Sequence, residues 1–508
     1  MAMRVSGLYS GMDTESIIAD LVAVKQTKVD ELKKAQTKHE WKQETWKDLN
    51  SKIYKLFSGT LDNLTYQSSY AKKTTTVSNP NAATVITKYT AMNSVQSLKI
   101  ESLASSGYMT GKEMAAGTTA DTTMKDLLGE NAFAGNGTAT ITVTIGKTDN
   151  SLGVPTDIVL TADSKVSDVV AELKKTGLNA NYDSATNRIF IGASATGVEN
   201  DFQISAGEGI STDALKALGL STADGAVKED GTSAKIVLNG ATFTSTGNTF
   251  EINGLTITCN AVTGKDAITL TTQDDVSGVY DMIKDFIKEY SSLINEMDKL
   301  YNADRAKGYE PLTDEEKDAM SESEVEKWET KIKDSLLRGD STLSTVSTAM
   351  KQIMSSGFEI GGKTMYLSDF GIETMGYLEA ADNEKHAYYI NGDEDNTNSS
   401  IKNKTNELKA AISKDPTQVR DFFVKLTQSL KSRLDGLMKG TDYSSSYTVY
   451  EDKKMKTEYD DYTKKIKDAE DKLAAYEDRW YAKFAAMESA MAKMQTNMNA
   501  VSSMLGGM

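Results

Sequence analysis

An apolar stripe with the three- and four-residue spacing of an amphipathic helix runs through residues 18–56. Asp13 precedes the stripe and is a residue type that accepts hydrogen bonds from the free amides of a helix start. The spacing holds over more than five heptads and predicts a helix on the order of 58 Å long, which one small core cannot cover. The stripe comprises Ile18, Leu21, Lys25, Lys28, Leu32, Ala35, His39, Lys42, Trp46, Leu49, Ile53 and Leu56.

Four members of this stripe are polar. Lys25, Lys28, His39 and Lys42 occupy positions that the spacing predicts to lie inward. Polar residues at such positions weaken a coiled coil and restrict its register and its partners. We therefore expect a helix that pairs weakly enough to exchange partners. The alternative is a segment that is loosely packed, or disordered in the isolated chain.

A second long helix is predicted over residues 451–505, which contain neither proline nor glycine. Its apolar stripe shifts phase at Trp480, because Tyr476, Trp480 and Phe484 follow in two steps of four, which locally unwinds a supercoil. Beyond the shift methionine predominates, a flexible side chain that adapts to partner surfaces. We expect this stripe to pack on the N-terminal helix, on a neighbouring copy, or on both; the alternative is ordinary packing of an amphipathic helix. The stripe comprises Tyr459, Tyr462, Ile466, Ala469, Leu473, Tyr476, Trp480, Phe484, Met487, Met491, Met494, Met498, Val501 and Leu505.

Between these helices the pattern changes to the period-two alternation of strands with one buried face. Residues 138–145 show this alternation most clearly, and residues 235–238 and 255–258 repeat it. Helical spacing over 166–173 and 213–218 interrupts the strands. Small α+β modules are therefore inserted into one long connection between helices.

Helical patterning returns over residues 276–300, so the helical segments before and after the insertion must come back together. The predicted fold class is α+β and multidomain. It combines long terminal coiled-coil helices and a helical-bundle domain with inserted β-rich head domains.

Charge and composition exclude several classes of function. The formal net charge of −16 disfavours nucleic acid and anionic membrane surfaces, because both are bound by basic faces. One cysteine and two histidines rule out an internal disulfide and leave zinc and Cys–His catalytic sites short of ligands. No run of about 18 apolar residues predicts a membrane span, and residues 1–7 do not lead into the apolar stretch of a cleavable signal peptide. We expect neither nucleic-acid binding nor membrane insertion.

Three motifs with possible chemistry lack the neighbours that such chemistry needs. Gly135-Asn136-Gly137 leads into a strand and does not open a helix, as a phosphate-binding loop would. Residues 391–396 are acidic but lack the glycine at position six and the bidentate glutamate at position twelve of a calcium loop, which favours a solvated loop. Cys259 follows a strand pattern without an adjacent histidine, so inert burial is expected. We predict no active site and no cofactor.

Five stretches, in collinear order, resemble the flagellar filament-capping proteins, also called the hook-associated protein 2 family. Residues 10–18 (Ser-Gly-Met-Asp-Thr-Glu-Ser-Ile-Ile) are similar to the opening of the family, and residues 466–507 fit its C-terminal coiled coil. Residues 336–343, 367–374 and 415–423 resemble its central segments. Each stretch alone is a weak signal, and their order makes the resemblance specific. The β-rich region matches the family in pattern more than in residues.

The resemblance implies a structural protein at the distal end of the flagellar filament, without enzymatic activity. Such proteins form an oligomeric ring that retains exported flagellin and promotes its folding and insertion during filament elongation. The implied partners are further copies of the chain, flagellin, the hook–filament junction proteins, and the flagellar type III export apparatus with a chaperone. The implied location is the extracellular filament tip, reached without a cleavable signal peptide.

Pattern and resemblance together predict four domains and one set of contact residues. The domains are terminal coiled-coil, filament-inserting segments at 1–40 with 471–508, a helical leg at 41–77 with 276–470, an inner β-rich head at 78–109 with 235–275, and an outer α+β head at 110–234. The residues assigned to oligomerisation and filament contact are Ile18, Leu21, Leu32, Trp46, Leu49, Ile53, Leu56, Ile466, Leu473, Trp480, Phe484, Met487, Met491, Met494 and Met498.

Two alternative functions stay open on the sequence. Another hook–filament junction protein would share terminal helices and a β head, and the order of the five stretches argues against it. A host-surface or mucin adhesin would act through the β-rich head. The aromatic residues within 110–234 are scattered along the sequence and show no cluster suited to sugar stacking.

Overall fold

The computed structural model describes residues 11–134, 137–148, 151–153, 155–376 and 379–505. The chain forms two compact units, unit 1 (Met1–Tyr70 with Val276–Met508) and unit 2 (Ala71–Asp275). The N-terminal start considered for a signal peptide lies outside the described residues, as do Gly135 and Asn136.

Helix α1 spans Thr14–Lys55 and begins where the sequence predicts. The Asp13 carboxylate accepts a hydrogen bond from the Ser16 backbone N–H at 3.1 Å, and Glu15 lies in the first turn, where the helix dipole favours an acidic residue. The helix continues directly into a π-helical turn at Leu56–Leu61 and then into α2, Asp62–Leu64. The long N-terminal helix is confirmed.

Unit 2 contains strands and short helices that alternate along the chain. In order they are β1 (Lys73–Val77), β2 (Ala83–Thr87), β3 (Ser94–Ser102), β4 (Tyr108–Thr110), α3 (Met124–Leu128), β5 (Ala139–Ile145), β6 (Lys147–Thr148), β7 (Ser151–Leu152), β8 (Pro155–Leu160), α4 (Val166–Lys175), β9 (Asn179–Asp183), β10 (Arg188–Gly192), β11 (Phe202–Ala206), α5 (Ile210–Ala217), β12 (Val227–Glu229), β13 (Ala234–Leu238), β14 (Ala241–Ser245), β15 (Thr249–Ile252), β16 (Leu255–Cys259) and β17 (Ile268–Asp274).

Two hydrophobic cores form inside unit 2. The first core lies on the sheets β1-β17-β3-β13-β14 and β15-β16-β2. Its buried residues come from two separate stretches, Ala82 to Ala104 and Ala234 to Leu270. The sheets β12-β4-β10-β9 and β11-β5-β8, with α3, α4 and α5, carry the second core, between Met109 and Leu220. The division of the chain into four domains stays a prediction.

Local sequence signals account for much of unit 2. Ala139, Ile141 and Val143 of β5 are buried, as the alternation predicts. Asn239-Gly240 and Asn253-Gly254 close the β13–β14 and β15–β16 hairpins with positive φ at both residues, the geometry of a type I′ turn. At Gly254 a Cβ would also lie 2.8 Å from the Ala91 backbone nitrogen, so glycine is needed there for space as well.

The lone cysteine lies at the end of β16 and is 3 % exposed. Burial raises the pKa of the Cys259 thiol to about 11. The side chain is therefore a protonated, packed thiol at neutral pH. Since the thiolate is the reactive form of cysteine, this thiol is inert.

The second part of unit 1 is mainly helical. Its elements are α6 (Val276–Tyr301), α7 (Asp314–Asp318), α8 (Glu322–Asp334), α9 (Ser341–Met354), β18 (Phe358–Ile360), β19 (Lys363–Met365), β20 (Ile372–Thr374), β21 (Tyr388–Ile390), α10 (Ser399–Lys402), α11 (Glu407–Lys414), α12 (Pro416–Leu437) and α13 (Asp452–Leu505). The strands form two antiparallel pairs, β18–β19 and β20–β21.

One large core joins the helical segments from both sides of the insertion, as predicted. Buried residues of α1, the π-helical turn, α6, α9, α11 and α12 belong to a single cluster. Its centre contains the rings of Phe370, Phe422 and Phe423, with centroids 4.8 Å apart for Phe370–Phe422 and 5.8 Å apart for Phe370–Phe423. The fold class is therefore α+β and multidomain, with long terminal helices and an inserted β-rich region.

The acidic segment 391–396 is held by a lysine of α6. The Lys284 ammonium lies 2.5 Å from the Asp393 carboxylate and 2.7 Å from that of Asp395. Partial burial opposes the charged form of Lys284, but hydrogen bonds to both carboxylates raise its pKa above the ordinary value. Among the residues that the structure describes, no group of His, Cys, Asp or Glu side chains could hold a metal ion. Within the same residues, no helix combines the length and apolar character needed to span a bilayer.

Candidate functional site: the paired terminal helices

Helices α1 and α13 pack side by side in antiparallel directions. Lys33 lies 2.7 Å from the Glu470 carboxylate, and Gln36 donates a hydrogen bond to the Thr463 hydroxyl at 2.7 Å. The hydrogen bond to the Glu470 carboxylate raises the pKa of Lys33 above its ordinary value. Residues farther along α1 thus meet residues nearer the start of α13.

This register leaves the end of α13 without a partner in α1. The contacts of Lys33 and Gln36 place Gly11, the first described residue, opposite roughly residue 490, since both helices rise about 1.5 Å per residue. The described helix continues to Leu505. About 15 residues of α13 therefore extend past the described start of the N-terminal segment.

Burial along the predicted stripe follows the same division. Ile18 and Ile466 are buried at 2 % and 8 % exposure. The stripe residues Leu21, Leu32, Leu473, Trp480, Phe484 and Met487 are half-buried. Past the overlap with α1, exposure rises to 36 % at Met491, 62 % at Met494, 59 % at Met498 and 54 % at Val501.

The other predicted contact residues lie in a different environment. Trp46, Leu49, Ile53 and Leu56 are all buried in the large core of unit 1, among residues of α6, α9 and α12. Trp46 also stacks on Tyr450, with ring centroids 5.4 Å apart and planes 9° from parallel. These four side chains are covered by their own chain. Their assignment to contacts between subunits stays a prediction.

The prediction that Lys25 and Lys28 lie inward is wrong, since both are exposed. The buried position is Val29, at 1 % exposure, one residue after Lys28. A straight helix has 3.6 residues per turn, so a strict 3.5-residue pattern drifts off its face over several turns. The apolar pair Val22 and Val29, seven residues apart, was the sequence signal that could have located the buried face of the helix. Lys25 lies at the edge of the interface, with its ammonium 5.8 Å from the centre of the Tyr476 ring.

His39 and Lys42 make polar contacts in two directions. His39 Nε2 lies 2.8 Å from the Met455 carbonyl oxygen, on the side of α13. Lys42 lies 2.9 Å from the Asp340 carboxylate at the start of α9. Lys34 pairs with Glu316 of α7 at 2.7 Å. Two lysines of α1 thus bind acidic residues of two different elements, contacts that sequence periodicity did not reveal.

We expect Asp340→Ala to lower the free energy of unfolding by about 1–2 kcal/mol, because Asp340 combines two roles. Its carboxylate accepts hydrogen bonds from the backbone N–H groups of Thr342 and Leu343 at 3.0 and 3.2 Å, and it also pairs with Lys42. Asp340→Asn keeps the cap and loses the charge, so it should cost about half as much or less. Urea unfolding followed by circular dichroism measures both variants. Equal losses would contradict the cap.

The start of α13 is fixed by Asp452. Its carboxylate accepts hydrogen bonds from the Ser445 backbone N–H and from the Ser445 hydroxyl, both at 2.6 Å. Burial opposes ionisation, but these hydrogen bonds, with one from Thr448, lower the pKa of Asp452. The carboxylate therefore contributes stability above the pKa of an unfolded aspartate, about 3.9, and loses that contribution as the pH falls through the folded pKa.

We expect Asp452→Asn to lower the thermal midpoint of the helical transition at pH 7, and the difference from the unaltered chain to shrink as the pH falls below about 3.9, the pKa of an unfolded aspartate. Circular dichroism at 222 nm over this pH range measures the difference. Asp471→Asn, at an exposed position of the same helix, is the control. A difference that stays constant from pH 7 to pH 3 would show that ionised Asp452 does not stabilise the junction.

Comparison with known proteins gives consistent matches over almost the whole chain. The family model described as "Flagellar hook-associated protein 2 C-terminus" matches residues 231–496, and "Flagellar hook-associated protein 2 N-terminus" matches residues 10–107. The flagellar hook-associated protein 2 of Halalkalibacterium halodurans is 24 % identical over 537 residues, covering 96 % of this chain and 97 % of that protein. The A-type flagellar hook-associated protein 2 of Pseudomonas aeruginosa is 25 % identical and covers 85 % of this chain and 86 % of that protein.

Solved structures of the same kind are similar in part. The D1-D2-D3 domains of the flagellar cap protein FliD from Escherichia coli cover 77 % of this chain and 96 % of that chain, with 18 % identity and a TM-score of 0.49. FliD from Pseudomonas aeruginosa PAO1 covers 42 % of this chain and 93 % of that chain, with 20 % identity and a TM-score of 0.31. Because the C-terminal family model by itself spans more than half of the 508 residues, the chain belongs to the flagellar hook-associated protein 2 family, the flagellar filament-capping proteins.

Proposed function

We propose that this chain caps the distal end of the flagellar filament as a homo-oligomeric ring. The ring retains exported flagellin and promotes its folding and insertion while the filament grows. The observation that carries the proposal is the apolar end of α13, where Met494, Met498 and Val501 are each more than half exposed.

The composition of this end supports burial in an assembly. Residues 494–505 contain no Asp, Glu, Lys or Arg, whereas the rest of α13 is rich in charge. A helix that stays in water carries charges on its solvated face. A helix with an apolar stripe and a neutral amide and hydroxyl face fits a bundle in which it has neighbours on several sides. Burying the stripe against other helices would contribute roughly 25 cal/mol per Å² of apolar surface.

The α1–α13 pair supports a leg that can rearrange. Most of its stripe residues are half-buried, and ion pairs such as Lys33–Glu470 lie in contact with solvent. Segments with few buried apolar contacts open at low free-energy cost. A cap must hold the filament and yet step aside for each new subunit, and weakly packed legs suit both demands.

The remaining parts of the proposal follow from family membership. The protein is structural and not an enzyme, and it acts at the extracellular filament tip. It reaches this site through the flagellar type III export apparatus with a chaperone. There it meets flagellin and the hook–filament junction proteins. The adhesin alternative, acting through unit 2, is kept as an outcome of the test below.

The test is the solution mass of the full chain over a concentration series, measured by light scattering. We expect a discrete oligomer, and we expect Met494→Ser with Met498→Ser and Val501→Ser to weaken its association at least tenfold. Thr496→Ser with Asn499→Ser, on the other side of the helix, is the matched control and should leave the oligomer intact. In cells that lack their own copy, the triple variant should fail to restore filament growth.

Two results would contradict the proposal. An unchanged oligomer and normal filaments with the triple variant would remove the α13 stripe from the interface. A full chain that stays monomeric at every concentration and is not required for filament growth would favour the adhesin.

A further inference from the structure

The methionines at the end of α13 are far more exposed than those in the cores of the two units. Met494 and Met498 are each more than half exposed, and Met491 is 36 % exposed. The core methionines are at most 9 % exposed; they are Met109, Met114, Met124, Met297, Met350, Met354, Met438 and Met455. A reagent dissolved in water therefore reaches the thioethers of α13 before those of the cores.

The exposed methionines share one face of the helix. Met487, Met491, Met494 and Met498 follow one another in steps of four, three and four residues, and Val501 continues the spacing. This face is the one that the proposed function places between copies of the chain. A chemical change at these sulfur atoms would therefore alter the proposed contact itself.

Cysteine, the usual first target of a peroxide, is not accessible in this chain. Cys259 is the only cysteine of the sequence, and its side chain is 3 % exposed at the end of β16. Peroxides react with the thiolate, and burial keeps this thiol protonated because it raises the pKa of Cys259. A peroxide in solution therefore meets the exposed thioethers first.

Oxidation replaces the apolar thioether of methionine by a polar group. The sulfur gives two electrons to hydrogen peroxide: an S–O bond forms, the O–O bond breaks, and the second oxygen leaves as water. The product, methionine sulfoxide, carries an oxygen that accepts hydrogen bonds and has no hydrogen to donate.

The end of α13 provides little to pair with such an oxygen. Residues 494–505 contain no Lys or Arg, and the next stripe residue, Val501, is apolar. Two stripes packed against each other would bury the sulfoxide oxygens without donors, and burying a polar group without a hydrogen bond costs free energy. Oxidation should therefore favour separate chains over the assembled ones.

We propose that Met494 and Met498 form an oxidation site at which a peroxide reversibly weakens the self-association of the chain. The inference rests on the proposed function, because it takes the stripe to be the contact between copies. In the free chain both thioethers are open to solvent, whereas neighbouring copies cover them in the ring. Oxidation thus acts on subunits that have not yet assembled.

The test treats the full chain with hydrogen peroxide in dilute solution and ends the reaction with catalase. Peptide mapping by mass spectrometry, with fragmentation, assigns each added oxygen to its residue. We expect sulfoxide at Met494 and Met498 before it forms at the buried Met297. Light scattering over a concentration series should then show association weakened roughly tenfold. Treatment with methionine sulfoxide reductases should restore it.

Two leucine variants separate this site from the other methionines. Met494→Leu with Met498→Leu keeps the apolar volume and removes both thioethers, so this variant should associate normally and keep its association after peroxide. Met92→Leu is the matched control, since Met92 lies in unit 2 and is 65 % exposed. The control should lose its association after peroxide as the unaltered chain does.

Three results on a chain that associates before treatment would reject this inference alone. They are an unchanged oligomer after both methionines are oxidised, an equal loss of association in the double leucine variant, and sulfoxide at Met297 as early as at Met494. A chain that stays monomeric before any peroxide is added would reject the proposed function, and this inference with it. The untreated sample therefore tells the two failures apart.

Discussion

Replacing Trp46 by alanine will lower the free energy of unfolding of unit 1 by about 3–5 kcal/mol. The indole is 2 % exposed, belongs to the large core of unit 1 and stacks on Tyr450 at 5.4 Å. Alanine would leave a cavity between α1 and the segment that leads into α13, because close-packed neighbours relax only partly into the space. Guanidinium unfolding of the full chain, followed by circular dichroism at 222 nm, measures the loss.

The matched control is Val24→Ala on the same helix. Val24 is 77 % exposed, so this substitution should change the free energy of unfolding by less than about 0.5 kcal/mol. A loss below about 1 kcal/mol for Trp46→Ala would mean that the α1 segment around Trp46 is not packed into the core of unit 1. The assignment of Trp46 to contacts between subunits would then regain support.

Replacing Lys351 by methionine will lower the free energy of unfolding by about 2–4 kcal/mol, because it removes one partner of a buried carboxylate. Asp298 is 5 % exposed and has two partners, Lys351 at 2.5 Å and His386 at 2.9 Å. Methionine keeps most of the side-chain volume, so the effect reports the lost charge. Denaturant unfolding measures it, with Lys363→Met at an exposed position of β19 as the control.

A double-mutant cycle identifies the origin of this loss. In a chain that carries Asp298→Asn, the further change Lys351→Met should cost less than about 1 kcal/mol, because no buried carboxylate is left unpaired. If Lys351→Met costs the same with and without Asp298→Asn, the loss comes from packing of the lysine stem. The ion pair would then contribute nothing measurable.

Sequence patterns located the long helices because the information they need is local. The start of α1 was readable from Asp13, whose carboxylate caps the helix, and the extent of α13 from a run without proline or glycine. The type I′ hairpins follow from Asn-Gly pairs, which adopt positive φ more readily than other residues. Asp415 followed by Pro416 marks the start of α12 in the same way.

The candidate site was readable only in part. The predicted stripe contains Ile18 and Ile466, which are buried, and the exposed methionines at the end of α13; the role of these residues in contacts between subunits stays a prediction. The stripe could not separate the residues that face α13 from those that face the core of unit 1, because both sets keep helical spacing on one helix. Trp46 and Leu49 therefore entered the same list as Ile18, although their neighbours are different.

The sequence by itself determined the types of element, their order, their caps and turns, and through five short stretches the family. Tertiary structure decided which face of each helix is covered and by what. It placed Val29 inward in place of Lys28, set Lys42 against Asp340, and aligned α1 with α13 so that the methionine end is left exposed. The physical reason is that propensity and capping depend on residues within a turn of one another. Helix register and the pairing of charges such as Lys42 and Asp340, about 300 positions apart, depend on contacts between residues far apart in the chain.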